Sequence, residues 1–288
     1  MTANGLELEY ETFGDPTDPP LVLIMGLSAQ MTAWPEGFCN LLAEQGYHVI
    51  RFDNRDIGLS TYLDDLPPTD LAAVLGGDFS TAPYRLSDFA NDTAGLLDAL
   101  NIRSAHIVGA SMGGMIAQQL VIDHPDRVRS LCSIMSTTGD RTVGQGSEAA
   151  MAVLLRPAAK DRETAIANGI SGARVIGSPG YPATGEELLA KTTAAYDRAF
   201  HPAGALRQTA AVVSSPDRTE GLHKVTVPTV VIHGADDPLV NVSGGEATAT
   251  AIPGASLLII PGMGHDLPTA LWSTVADAIV ANAQKADN

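Results

Sequence analysis

The sequence predicts an α/β fold: a mostly parallel sheet of about eight strands, helices on both faces and an inserted helical segment. Three observations carry this. Short apolar runs alternate with helical segments from the N-terminus onward. One early run, PLVLIMG (20–26), is continuous rather than alternating, as in a strand buried on both faces. The alternation then stops at about residue 138 and resumes near 223.

Taken in order, LELEYETFG (6–14) alternates in period two and reads as a strand, followed by the buried run 20–26. A helix over 34–45 leads to a strand at 47–53. Residues 60–83 form a long polar connection containing Pro and Gly, of the kind usually retained for function. A helix over 86–100, a strand at 105–110, a helix over 112–124 and a strand at 130–136 complete the first half. Such a βαβα rhythm implies parallel strands joined by covering helices. Residues 138–222 show no strand pattern, only helical patches at 147–155, 160–170, 186–200 and 203–213, with punctuation such as GSPGYP (177–182). They read as a helical cap inserted into a core of residues 1–137 and 223–288. A strand at 227–234, a helix near 244–251, a strand at 256–262 and a helix over 268–284 close the chain.

Bulk properties exclude several classes. The 288 residues suffice for one large core. The longest apolar runs, Leu21 to Met25 and Leu257 to Ile260, are strand-sized, so no membrane span is expected. With 33 acidic against 17 basic residues the net charge is −16, which repels phosphate backbones and excludes nucleic acid as a partner. The start of the chain lacks a basic, apolar secretory signal, and the two cysteines, Cys39 and Cys132, fall in helix and strand with apolar neighbours. Free buried thiols and a cytoplasmic location follow. No His/Cys set has metal-ligand spacing, and neither a P-loop nor a strand-following G-x-G-x-x-G is present, so no metal or cofactor is expected.

The chemistry concentrates in Gly109-Ala110-Ser111-Met112-Gly113, a G-x-S-x-G between a strand and a helix. That context suits a nucleophile: a turn this tight strains the serine backbone and projects its hydroxyl from the sheet. It also places the hydroxyl at a helix N-terminus, where free N–H groups favour negative charge. The alternative is that Ser111 merely caps the helix. A serine nucleophile needs a base, and seven histidines are present. His48, His106 and His233 lie in or beside strands, His124 at a helix end, and His201 and His223 in the cap or its exit. His265, in Pro261-Gly262-Met263-Gly264-His265 after the last strand, alone follows every plausible acid in the order Ser, acid, His. For the acid, Asp236 and Asp237 both follow a strand. Pro238 restricts the backbone of Asp237, and Asp140 is a third candidate. Acyl transfer also needs an oxyanion site, assigned to the backbone N–H groups of Met112 and of Leu27 in the Met25-Gly26-Leu27-Ser28 loop.

With these landmarks in order, the chain resembles the α/β-hydrolase family over nearly its whole length. The family's G-x-x-D-P register falls on Gly234 and Asp237, which implies Asp237 as the triad acid. Asp53-Asn54-Arg55-Asp56-Ile57-Gly58-Leu59-Ser60 is similar to the family's D-x-R-G-x-G-x-S, with Asp56 in place of the first glycine. It reads as structural, with Arg55 tying loops together through an ion pair. The usual His-Gly of the oxyanion loop is Met25-Gly26 here. Together with N-R-D-x-G-x-S, this is similar to anthracycline methyl esterases and some actinobacterial esterases or lipases. The resemblance implies a cofactor-free serine esterase acting on a small-molecule ester. Met25, Gly26, Met263, Tyr196 and His201 are the expected pocket residues, and a methionine-lined pocket would suit a mostly hydrophobic substrate. C–C bond hydrolysis, perhydrolysis or lyase chemistry on the same triad, or non-catalytic ligand binding, are the alternatives.

Overall fold

The computed structural model describes residues 1–287. An Asn4-Gly5 turn, both residues at positive φ, folds β1 (Thr2–Ala3) onto β2 (Leu6–Glu7) as a separate antiparallel hairpin. The main sheet comprises β3 (Tyr10–Phe13), β4 (Pro20–Ile24), β5 (His48–Phe52), β6 (Ala105–Ala110), β7 (Val128–Ile134), β8 (Thr229–Gly234) and β9 (Ser256–Ile260). Its order is β3-β5-β4-β6-β7-β8-β9, parallel except for β3. The sheet thus has seven strands rather than about eight. The single strand expected at 6–14 is divided, because Leu8 turns into the core between β2 and β3.

The helices of the first half are α1 (Glu36–Ala43), α2 (Leu71–Leu75), α3 (Leu86–Ala99) and α4 (Met112–Asp123). The short α2 interrupts the connection expected over 60–83; the Asp70 carboxylate caps it by accepting the Ala73 N–H at 3.0 Å. Between β7 and β8 come α5 (Glu148–Leu154), α6 (Arg162–Ile176), α7 (Gly185–Arg198), α8 (Pro202–Ser214) and α9 (Thr219–Leu222). The helix expected over 160–170 runs on to Ile176, and its glycine at 169 serves packing: a Cβ there would lie 2.4 Å from Thr192 Cγ2 of α7, so the helices approach closely. After β8 come α10 (Ser243–Ala251) and α11 (Trp272–Asp287).

Apolar side chains form one cluster on each sheet face. One includes Val22, Ile107, Leu96 and Ile116 under α3 and α4; the other includes Leu21, Val108, Phe38 and Ile279 under α1 and α11. Cys39 and Cys132 are free and buried, and burial pushes the Cys39 thiol up to about 12. Among the described residues no helix is long and apolar enough to cross a membrane.

Strand order reverses between β4 and β6, so the loops leaving their C-terminal ends diverge and open a crevice. In open parallel sheets this is where ligands bind. Gly26 and Ser111 lie on those two loops.

Candidate active site

The turn from β6 into α4 holds Ser111 at φ 56° and ψ −121°, a conformation rarely adopted outside glycine. Neighbouring contacts impose it. The Ser111 N–H donates to the Ile134 carbonyl of β7 at 2.9 Å, and a Cβ at Gly113 would lie 2.1 Å from the Ile24 carbonyl of β4. Ser111 makes no side-chain capping bond, so helix capping does not account for it. Its Oγ lies 2.9 Å from His265 Nε2.

On the other side of the imidazole, Nδ1 lies 2.7 Å from Asp237 Oδ2. An ionised carboxylate can only accept, so the proton sits on Nδ1 and the Nε2 lone pair faces the Ser111 hydroxyl. Asp237 Oδ1 accepts the N–H groups of Leu239 at 2.8 Å and Val240 at 2.9 Å. Burial by itself raises the pKa of this carboxyl, but the histidines and backbone donors outweigh it and hold it down at about 2. His233 is the lesser contributor by geometry. Its Nε2 is 2.8 Å from the Val240 carbonyl oxygen but 3.5 Å from Asp237 Oδ2, so its proton goes first to Val240.

The two other acids stand elsewhere. Exposed Asp236 accepts the Gly262 N–H at 2.8 Å and so secures the loop carrying His265. Asp140 closes its own turn by accepting from the N–H and hydroxyl of Thr142.

The loop after β4 brings Gly26 against the serine: a Cβ there would lie 3.0 Å from Ser111 Cβ and 3.4 Å from its Oγ. Among the described residues, neither the Leu27 nor the Met112 N–H donates to another group of the protein. The loop is held from outside by side chains. Asn54 Nδ2 donates to the Met25 carbonyl at 2.9 Å. The fully buried Gln208 of α8 accepts the Ser28 N–H at 2.9 Å and donates to the Arg55 carbonyl at 2.7 Å. Sequence reasoning missed Gln208, since its spacing on α8 marks only a helix face. Replacing it with leucine leaves the Ser28 N–H without its acceptor and loosens the loop beside Ser111. The expected result is a fall in kcat of about tenfold with a melting temperature lowered by a few degrees, read by steady-state kinetics and thermal melts.

The Asp53–Ser60 stretch does the structural work expected of it. Arg55 pairs with buried Asp92 at 2.6 Å. Asp56, which replaces a family glycine, has φ 66° and holds that conformation through Arg207 of α8 at 2.6 Å, Tyr84 at 2.6 Å and the Leu63 N–H at 2.8 Å. Arg207 therefore ties α8 to the loop after β5.

The five expected pocket residues separate. Tyr196 and His201 line a cavity of about 340 Å³ bounded by α6, α7 and α8, whose inner wall includes Ser28, Gln30 and Ile57. His201 also stacks on Tyr62, with ring centroids 3.8 Å apart. Met25 and Gly26 lie in the loop beside Ser111 instead. Met263 is fully buried in the core cluster under α11, because its turn directs the side chain inward after β9. It packs the core, so the methionine-lined pocket is not what this structure builds. Met112 is likewise a core side chain.

This combination of fold and site defines a hydrolase of the α/β type. The chain belongs to the alpha/beta hydrolase fold family, whose model matches residues 19–166. It is 30% identical to rhodomycin D methylesterase DauP of Streptomyces sp. (strain C5), over 99% of this chain and 98% of that protein. It is 29% identical to rhodomycin D methylesterase DnrP of Streptomyces peucetius, again over 99% and 98%. A solved thermophilic esterase from Thermogutta terrifontis shares the fold at a TM-score of 0.77 and 23% identity, covering 100% of this chain and 98% of that one.

Proposed function

We propose that this hydrolase cleaves carboxylic esters through an acyl-enzyme, with methyl esters of bulky, mostly hydrophobic acids as the substrate class. The observation that carries the reading is the strained Ser111 with its Oγ 2.9 Å from an imidazole whose far nitrogen is held by a buried carboxylate. Ser111 Oγ attacks the ester carbonyl carbon while its proton passes to His265 Nε2. The carbonyl oxygen, now negative, lies against the N–H groups of Leu27 and Met112. Collapse breaks the bond to the alcohol oxygen, and His265 returns the proton to that leaving group. Water then attacks the acyl-serine, giving its proton to His265, and the carboxylic acid departs with Ser111 restored. Asp237 keeps the imidazole in one tautomer and stabilises the imidazolium.

Residues 138–222 act as the cap, and the cavity beneath its helices receives the acyl part. Ser28, two residues from Gly26, puts the inner wall within about 12 Å of Ser111 at about 3.8 Å per residue. The names of the two methyl esterases support a methyl ester, with a small alcohol leaving group.

The direct test is incubation with a fluorophosphonate, with the intact mass recorded for the parent and Ser111→Ala. One adduct on the parent and none on the variant is expected. An unlabelled parent would move non-catalytic ligand binding to the front.

A further inference from the structure

Both ring nitrogens of His265 are held, but its backbone lies on a turn, residues 262–266, with glycines at 262 and 264 and φ 77° at the first. Glycine gives up more conformational freedom on folding than any other residue, so this turn depends on contacts outside itself. From the core side, Asp236 receives the Gly262 N–H at 2.8 Å and gives its own N–H to the Met263 carbonyl at 3.0 Å. The insertion supplies three more bonds, one from the last residue of α6 and two from the segment that follows it. The His265 N–H donates to the Ile176 carbonyl at 2.7 Å, and the Gly180 N–H to the Gly262 carbonyl at 2.9 Å. The Gly264 N–H donates to Ser178 Oγ at 2.9 Å. Contact is so close that a Cβ on Gly264 would lie 2.5 Å from the Gly177 carbonyl oxygen.

Of these groups Ser178 is the informative one, because it is a side chain. It is buried, and its hydroxyl proton goes to Asp266 Oδ1, on the residue that follows the histidine. Gly264, Ser178 and Asp266 thus form a directional chain of hydrogen bonds around the His265 peptide.

We propose that Ser178 and Asp266 are positioning residues for His265, so that the insertion sets the base as well as covering the site. The inference rests on the role of His265 given above. Deleting the Ser178 hydroxyl strands the Gly264 N–H and lets the turn relax. Displacements of an ångström at a reacting group cost up to about 100-fold in rate. Ser178 does not line the cavity, so the loss falls on kcat rather than KM.

The test is kcat and KM for Ser178→Ala, Asp266→Ala and Asp266→Asn with p-nitrophenyl acetate, each also in a His265→Ala background, with melting temperatures alongside. Ser178→Ala and Asp266→Ala are expected to lose about 10- to 100-fold in kcat with KM within twofold. Asp266→Asn, whose amide oxygen still accepts the Ser178 hydroxyl, should recover most of that loss. In the His265→Ala background the same changes should cost nothing further, because residues acting through one group are not additive. A Ser178→Ala kcat within twofold of the parent, or an equal loss without the imidazole, overturns the inference. A parent lacking any esterase activity removes the proposed function with it, whereas a working parent with an indifferent Ser178 overturns this inference alone.

Discussion

Ser111→Ala is expected to lower kcat by roughly six orders of magnitude, the scale seen when a hydroxyl nucleophile is removed from a triad. At about 1.4 kcal/mol per tenfold, that is about 8 kcal/mol of transition-state stabilisation. The residual rate would come from Leu27, Met112 and bound substrate alone. Stability should move the other way or not at all. Ser111 makes no capping bond, and its backbone conformation is held by the Ile134 carbonyl and the close crossing at Gly113, which alanine leaves in place. A melting temperature at or above the parent's, with activity gone, separates lost chemistry from lost fold. A variant retaining a tenth of parental kcat would mean that some other group attacks the ester.

Asp237→Asn tests the other end of the proposed triad and carries two readouts. An asparagine at 237 can turn its NH2 towards His265 Nδ1, which then becomes the acceptor, and the proton moves to Nε2, facing Ser111. An imidazole in that tautomer cannot accept the serine proton, and a fall in kcat of about 10⁴ is expected. The second readout is acid stability. The native carboxyl is held down at about 2, against an ordinary value near 3.8. A depressed carboxylate contributes its stabilisation fully above the unfolded value. It loses that contribution as pH falls from about 4 towards about 2. The amount is about 2 kcal/mol at 1.36 kcal/mol per pKa unit. Urea unfolding between pH 2 and 6 should therefore show a steeper acid loss in the parent than in the variant. Parallel curves would mean that the carboxylate is not held down in the folded state.

The strand-sized apolar runs became β4, β6, β7 and β8 nearly as read, because burial on both faces demands continuous apolar residues. The G-x-S-x-G segment likewise identified its own turn, since glycines are needed where β6, α4 and β4 cross. Errors arose where a local signal had two meanings. Met263, near the histidine in sequence, reads as pocket but packs the core. Asp236 and Asp237 could not be separated by spacing, since both follow β8 and only the direction of each side chain differs. Gln208, Ser178 and Asp266 carried no signal at all, because ordinary polar residues gain meaning only from the backbone groups they meet.

The sequence by itself determined the parallel sheet, the run of helices between β7 and β8, and a serine and histidine placed at strand ends. Those features follow from periodicity, turn chemistry and chain order, which are local properties. Only the tertiary structure decided that Asp237 faces His265, that Gln208 holds the loop beside Ser111, and that the segment after α6 grips the histidine turn. These are contacts between residues 28 to 180 positions apart, and their direction depends on how layers pack, which no local pattern encodes.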